Sequence, residues 1–537
     1  MVVNGIGNAP LRGSYHLIYL YRGPPPLYSV VLSGLTLNFL YDYIMHQDFL
    51  RRIPSVNELL ESPEMSGFLV SYPRPIVVEA IRVALDDLRR LLVSEGNKGR
   101  QTERPDVSAG GNNKDEKAAA TPPPVDLAPQ AISLLVRDKL QHSFSGIEHA
   151  VNATGIILHT GLGRAPLATE ASQRVQNVLQ GFCTLEIEKD TGKRGMRYDT
   201  AERLVCMLTG AEAALAVNNN AAAVMLALDT LAKGREVIVS RSQLVEIGGS
   251  FRMPDVMAKS GAILVEVGTT NKTYPDDYRR AVTERTGLIL KVHQSNFKIV
   301  GFTDTVDVKE LAALGQAVNV PVMYDLGSGA LIDLQRYGLP HEPTVQESIR
   351  DGTDVVTFST DKLLGGPQGG IIAGKKKWID LMEKNPLLRA LRVGKLTIAA
   401  MEATLRLYLD GDHAVSKIPV LKMIVSPLET IDERCKRVAS RLSAPARDCL
   451  NVTITGGFSE MGGGSLPGER IPTRLVVIHG KKIPALALAA RLRDNTPPIF
   501  TRIEQDRVCL DMRTVYNDAE VDMIVTALER ISTIENS

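Results

Sequence analysis

One lysine, Lys362, stands where a short apolar strand gives way to glycine. The run is Val356-Thr357-Phe358-Ser359-Thr360-Asp361-Lys362-Leu363-Leu364-Gly365-Gly366-Pro367-Gln368-Gly369-Gly370. Its neighbours hold such an amine in place, and the backbone approaching it carries few side chains. That setting suits covalent capture of a carbonyl cofactor, pyridoxal phosphate (PLP), followed by proton transfer from the same amine. A loop lysine on the surface is the bland alternative, so the rest of the chain has to decide.

PLP requires an acid at its pyridine nitrogen and a cup for its phosphate as well as an amine. Asp325 ends the run Met323-Tyr324-Asp325 ahead of Leu326-Gly327-Ser328-Gly329. At the C-terminal end of a strand it faces the ligand crevice of an α/β sheet, although an Asp there also serves as a turn cap. Asn218, Asn219 and Asn220 follow one strand and precede an alanine-rich helix, where backbone N–H groups receive an anion. A helix cap needs only one of the three. Ser359 adds a hydroxyl to the same phosphate. His293, in His293-Gln294-Ser295-Asn296, offers a polar contact to the ring or the substrate, or is simply structural.

Three arginines complete the set. Arg164 lies in the glycine loop His159-Thr160-Gly161-Leu162-Gly163-Arg164. Arg389 and Arg392 are spaced i, i+3, which predicts one helical face suited to clamping an oxyanion or, equally, a solvated face.

The elements that must position these groups alternate between strand and helix. Ala214–Val217, Glu236–Val239, Leu264–Val267, Leu288–Val292, Val320–Tyr324 and Asp354–Phe358 read as strands. Ala221–Ala232 and Val308–Asn319 read as helices between them. Near-continuous apolar strands alternating with helices predict an α/β fold with a mainly parallel central sheet covered on both faces. Five segments follow. Residues 1–47, with Pro24-Pro25-Pro26 and many tyrosines, form an atypical N-terminal extension, read as an upstream-extended start or a disordered arm. Residues 48–93 form a small helical domain with Val77, Ile81, Ala84, Leu85, Leu88, Leu91 and Leu92 on one face. Residues 94–129 have the composition of a flexible linker or insertion. Residues 130–410 form the large domain that carries the lysine. Residues 411–537 form a smaller α+β domain.

Composition narrows the class. The 537 residues carry a formal net charge of +1, so no global basic field announces nucleic acid. Cys183, Cys206, Cys435, Cys449 and Cys509 show neither a CxxC spacing nor a disulfide framework, and no metal site is expected. A reducing cytoplasm is the expected compartment. No apolar run approaches the ~20 residues of a membrane helix.

Long ordered stretches resemble bacterial selenocysteine synthase, the L-seryl-tRNA(Sec) selenium transferase family. They are Ile53–Val56, Asn152–Gly155, Thr209–Ala214, Asn218–Ala221, Glu246–Arg252, Val267–Asn271, Asp325–Gly329, the Lys362 loop and Arg389–Lys395. The resemblance implies a fold-type I PLP-dependent transferase with an N-terminal tRNA-binding domain, assembled as a ring-shaped homodecamer. It implies that Lys362 holds PLP, that Asp325 faces the ring nitrogen, and that Arg164, Arg389 and Arg392 handle selenophosphate. The implied reaction takes the seryl group of tRNA(Sec) through β-elimination to an aminoacrylate, to which selenium adds. The chain departs from the family pattern at Gly161 (usually Asn), Thr360 (usually Gly) and Gly394 (usually Asp). The alternative is a PLP-dependent lyase or ammonia-lyase acting on a small amino acid or sugar acid.

Overall fold

The computed structural model describes residues 53–98, 128–143, 146–249, 251–411 and 413–536, so the expectations for residues 1–47 and for most of 94–129 fall outside the described residues. The chain divides into two compact units, up to His149 and from Ala150 onward.

The first unit is helical. Ser55 starts α1 (Val56–Leu60) with a reciprocal cap: its hydroxyl accepts from the Glu58 N–H, and the Glu58 carboxylate accepts from the Ser55 N–H at 2.7 Å. After α2 (Pro63–Ser71), α3 runs from Arg74 to Lys98. Its Val77, Ile81, Ala84 and Leu85 close on Leu59 and Met65, and also on Ile132, Val136 and Leu140 of α4 (Pro129–Ser143). Lys139 pairs with Asp87 at 2.8 Å across the same seam. Two domain boundaries therefore move. The long helix extends past residue 93, and α4 belongs to the helical unit instead of opening the large domain at 130, because its apolar stripe has its partners there.

The second unit contains two sheets. β1 (Val151–Ala153) and β2 (Ile156–Leu158) precede the strands of the large sheet. These are β3 (Ala213–Val217), β4 (Glu236–Ser240), β7 (Ile263–Val267), β8 (Thr286–Val292), β9 (Val322–Gly327), β10 (Val355–Ser359) and β11 (Gly370–Gly374). A short hairpin, β5 (Glu246–Ile247) with β6 (Phe251–Arg252), stands apart. The large sheet has the order β3-β11-β10-β9-β8-β4-β7, and only β11 runs against its neighbours. The six strands expected from sequence are present. β11 was not expected, because Gly369-Gly370 and Gly374 hide a strand whose Ile371, Ile372 and Ala373 are buried.

The second sheet joins β12 (Val452–Gly462), β13 (Arg470–Ile478), β14 (Ile499–Glu504) and β15 (Arg507–Asp511) in the order β1-β14-β15-β13-β12-β2. Its outer strands thus come from residues 151–158, more than 250 positions upstream of the rest. The core under this sheet takes up the chain from Ile431, whereas Ala414 to Ile424 pack into the large core. The expected boundary at 411 accordingly shifts beyond Ile424.

Asp511, fully buried, fastens this arrangement. It accepts from the hydroxyls of Ser459 (2.8 Å) and Thr473 (2.7 Å), from the Arg513 N–H (3.0 Å) and from Arg502 (3.2 Å). At the β1–β2 corner Gly155 has φ +81°, and a Cβ there would lie 2.2 Å from the Asp511 carboxylate. Asp511→Ala should strand two buried hydroxyls and a guanidinium, lowering stability by about 3–5 kcal/mol in urea unfolding. A loss below about 1 kcal/mol would contradict this account.

Candidate active site

The site lies at the C-terminal ends of β8, β9, β10 and β3, where a parallel sheet directs its loops. β9 supplies Asp325, 4% exposed. The Asn220 amide donates to its Oδ1 at 2.8 Å and the Thr357 hydroxyl to the same oxygen at 3.1 Å. Asp325 is therefore a buried acceptor and does not cap a turn. Burial pushes its pKa up, opposed by the Asn220 hydrogen bond, by the positive charge of Lys362 and by the Thr357 hydroxyl.

Lys362 is 6% exposed. Burial lowers its pKa, and the nearby Asp325 carboxylate opposes that shift. The loop carrying it is pinned from several directions. Thr360 N–H donates to Gly369 (3.0 Å), Gly366 N–H to Thr360 (2.7 Å), Leu363 N–H to Ser328 (3.1 Å), and the Tyr408 hydroxyl to Leu364 (2.8 Å). The Thr360 hydroxyl also donates to the Pro367 carbonyl, so the departure from glycine at this position adds a tie to the loop.

The residues expected to cup a phosphate are brought together through β11. Ser359 is in register with Gly370, and Gly370 with Val217, which brings the end of β10 beside Asn218–Asn220. Gly370 is obligatory here, because a Cβ would lie 2.3 Å from the Asn219 carbonyl oxygen. The three asparagines have separate roles. Asn218 donates its N–H to the Leu391 carbonyl, the Asn219 side chain caps the helix Asn220–Leu231 through the Ala222 N–H, and Asn220 serves Asp325. The second asparagine is thus the cap that the bland reading offered.

Arg164, at φ +64°, pairs with Asp361 at 2.7 Å, beside Lys362. Arg389 lies in the helix Leu387–Leu391, but Arg392 has left it for extended backbone bridged to Val217. The two do not share a helical face, which corrects the expectation from spacing. Both are exposed, and the bridge brings only the Arg392 backbone to the end of β3. Gly394 begins the helix Lys395–Tyr408 without a side-chain cap, and open space surrounds its Cα. Gly161 lies against His159, where a Cβ would be 3.3 Å from the imidazole.

His293 follows β8 and donates its backbone N–H to the Asp325 carbonyl at 2.9 Å. It lines a cleft of about 270 Å³ together with Tyr324, Glu342, Leu466 and Pro467.

The sequence reading missed Thr357, Asp361 and Gly464. Gly464 has φ +81°, and a Cβ there would lie 2.5 Å from Lys362 Nζ, so a loop from the second sheet roofs the amine. The triplet Gly462-Gly463-Gly464 was the signal available. All five cysteines are unpaired. Among the described residues no helix is long and apolar enough to cross a membrane.

Two consequences are measurable. Gly464→Ala should reduce borohydride-trapped PLP on Lys362 by about tenfold, since the methyl would lie 2.5 Å from the amine and strain a left-handed backbone; unchanged trapping would refute the roof. Only the neutral amine attacks a carbonyl. Capture of PLP by cofactor-free protein should therefore rise with pH about a midpoint below 10.5, the ordinary lysine value, and Asp325→Asn should lower that midpoint further. A midpoint at or above 10.5 would contradict the burial argument.

Comparison with known proteins gives concordant likenesses. A family model described as L-seryl-tRNA selenium transferase matches residues 150–516, and one described as selenocysteine synthase N terminal matches residues 50–89. The L-seryl-tRNA(Sec) selenium transferase of Carboxydothermus hydrogenoformans is 46% identical over 485 residues, covering 90% of this chain and 98% of that protein. That of Alkaliphilus metalliredigens is 47% identical over 488 residues, again covering 90% and 98%. A solved D-glucosaminate-6-phosphate ammonia-lyase aligns with TM-score 0.51 at 20% identity over 73% of this chain and 98% of its own. At that identity the likeness is one of fold.

Proposed function

The chain belongs to the L-seryl-tRNA selenium transferase family, and on that premise we propose that it converts L-seryl-tRNA(Sec) to L-selenocysteinyl-tRNA(Sec) with selenophosphate as donor. The observation that carries the reading is the shared burial of Lys362 and Asp325 at the strand ends of this fold, within electrostatic reach of one another.

The residues fit PLP. Asn220 Oδ1 and Ser328 Oγ are buried without a hydrogen-bond partner among the described residues; Asn220 donates through its amide nitrogen to Asp325, and the Ser328 carbonyl accepts from Leu363 N–H next to Lys362. Lys362 would hold the aldehyde carbon and Asp325 the pyridine nitrogen. Ser359 and the helix N-terminus at Asn218–Asn220 would hold the phosphate, and His293 would contact the ring. When bound, PLP supplies an electron sink for the carbanion at Cα of the seryl group.

This chain's side chains perform the remaining work. The Lys362 amine, whose pKa burial lowers, is the group placed to take the Cα proton of the seryl moiety. Asp325 stays ionised when a cationic nitrogen faces it, since the opposite charge offsets its desolvation. The β-hydroxyl would leave as water with the proton taken from Cα; selenium would then bond to Cβ as Cα regains a proton and water cleaves the P–Se bond of selenophosphate, releasing phosphate. Arg164, oriented by Asp361, contributes positive charge toward selenophosphate, with Arg389 and Arg392 as further oxyanion ligands. Gly464 and its loop keep water from the amine. The helical unit, which contains residues 50–89, binds the tRNA. We assign a cytoplasmic enzyme that assembles as a homodecamer; exposed Phe182, Val300 and Phe302 supply apolar surface for other copies.

Lys362→Ala should cut selenium transfer at least about 10³-fold while leaving tRNA(Sec) binding within a few fold. The protein should bind tRNA(Sec) in preference to tRNA(Ser). Equal or absent binding of the two would instead favour a small-molecule lyase.

A further inference from the structure

Glu342 belongs to no motif of the chain, yet it is 2% exposed and its Oε1 has no hydrogen-bond partner among the described residues. A buried carboxylate oxygen without a hydrogen bond is costly, so the groups around it carry information. The atom facing it is His293 Nε2, at 3.2 Å, which is likewise buried and lacks a hydrogen bond. The other ring nitrogen, Nδ1, lies 3.4 Å from the hydroxyl of Tyr324, itself 3% exposed. The two rings meet edge to face, with centroids 6.4 Å apart and planes inclined at 77°. His293 and Tyr324 also bracket Asp325: Tyr324 precedes it on β9, and His293 donates its N–H to the Asp325 carbonyl. The negative charge of Glu342 is close enough to act on both the Tyr324 hydroxyl and the Lys362 amine.

We propose that Glu342 is a positioning residue that fixes the His293 imidazole between its own carboxylate and the Tyr324 hydroxyl, and so presents that ring to the cofactor. Accepting from Nε2–H selects the tautomer in which Nδ1 accepts from Tyr324. Lys291 completes the surroundings. Its ammonium donates to the Val306 carbonyl at 2.5 Å and lies 5.8 Å from the Tyr324 ring centroid, leaving Glu342 to the histidine. The inference rests on the reading of His293 as a cofactor contact.

A double-mutant cycle on PLP affinity tests it, read from the absorbance of the bound cofactor, with melting curves of the cofactor-free proteins to select folded variants. Glu342→Leu should weaken PLP binding about tenfold, as loss of an orienting partner does. Glu342→Met serves as a second apolar variant if the leucine protein does not fold. Glu342→Gln keeps an oxygen acceptor and should stay within about threefold, so the conservative change rescues the apolar one. The double variant His293→Ala/Glu342→Leu should bind no more weakly than His293→Ala alone, because Glu342 acts through the imidazole. Losses that multiply in the double variant would overturn the inference, as would an apolar variant that binds like the parent. His293→Ala with parental affinity would overturn the reading of His293, and the inference with it. A loss in His293→Ala with none in Glu342→Leu would overturn the role of Glu342 alone.

Discussion

The burial of an amine and a carboxylate in one pocket is the constraint around which the second unit is built. Lys362 and Asp325 are 6% and 4% exposed, and removing either charge from water is costly. Desolvation moves their pKa values in opposite directions, the lysine down and the aspartate up, and each charge offsets part of the other's penalty. The result is an amine closer to neutrality than a surface lysine, and a carboxylate that an arriving cation would hold ionised.

Keeping the pair in place draws on both sheets. The strand end of β9 fixes Asp325, and Thr357 on the adjacent β10 helps to satisfy it. Backbone hydrogen bonds around the Lys362 loop fix the amine from the same sheet. From the other sheet, the loop after β12 roofs the amine with a glycine, and that sheet is closed at its edges by strands that precede the large sheet in sequence, β1 beside β14 and β2 beside β12. Glycine recurs where backbone must approach closely: Gly370 against the Asn219 carbonyl and Gly464 against the Lys362 amine.

Family membership and site geometry make separate contributions. The likeness to selenium transferases spans about 90% of the chain and identifies the reaction class. The geometry distinguishes the asparagines, one tied through its backbone to Leu391, one capping a helix and one serving Asp325. It also separates the arginines, with Arg164 bound to Asp361 and Arg389 and Arg392 on exposed backbone of different conformation.

The sequence by itself determined the alternation of strands and helices, the positions of Lys362 and Asp325 just at or beyond strand ends, and the face of the long helix. These are local properties: periodicity, strand-end chemistry and glycine punctuation lie within a few residues of one another. It was silent on β11, whose glycines carry little strand propensity and which exists because β3 and β10 each offer it an edge. It also misplaced the helix at 129–143 and the start of the second core, since an apolar stripe does not reveal which partner covers it. Spacing put Arg389 and Arg392 on one face, but the bridge to Val217 pulled Arg392 out of the helix. Only the tertiary structure decided that Gly464 roofs Lys362, more than 100 residues away, and that Glu342 faces His293. Contacts of that kind follow from how sheets and loops pack, and no short window of sequence contains both partners.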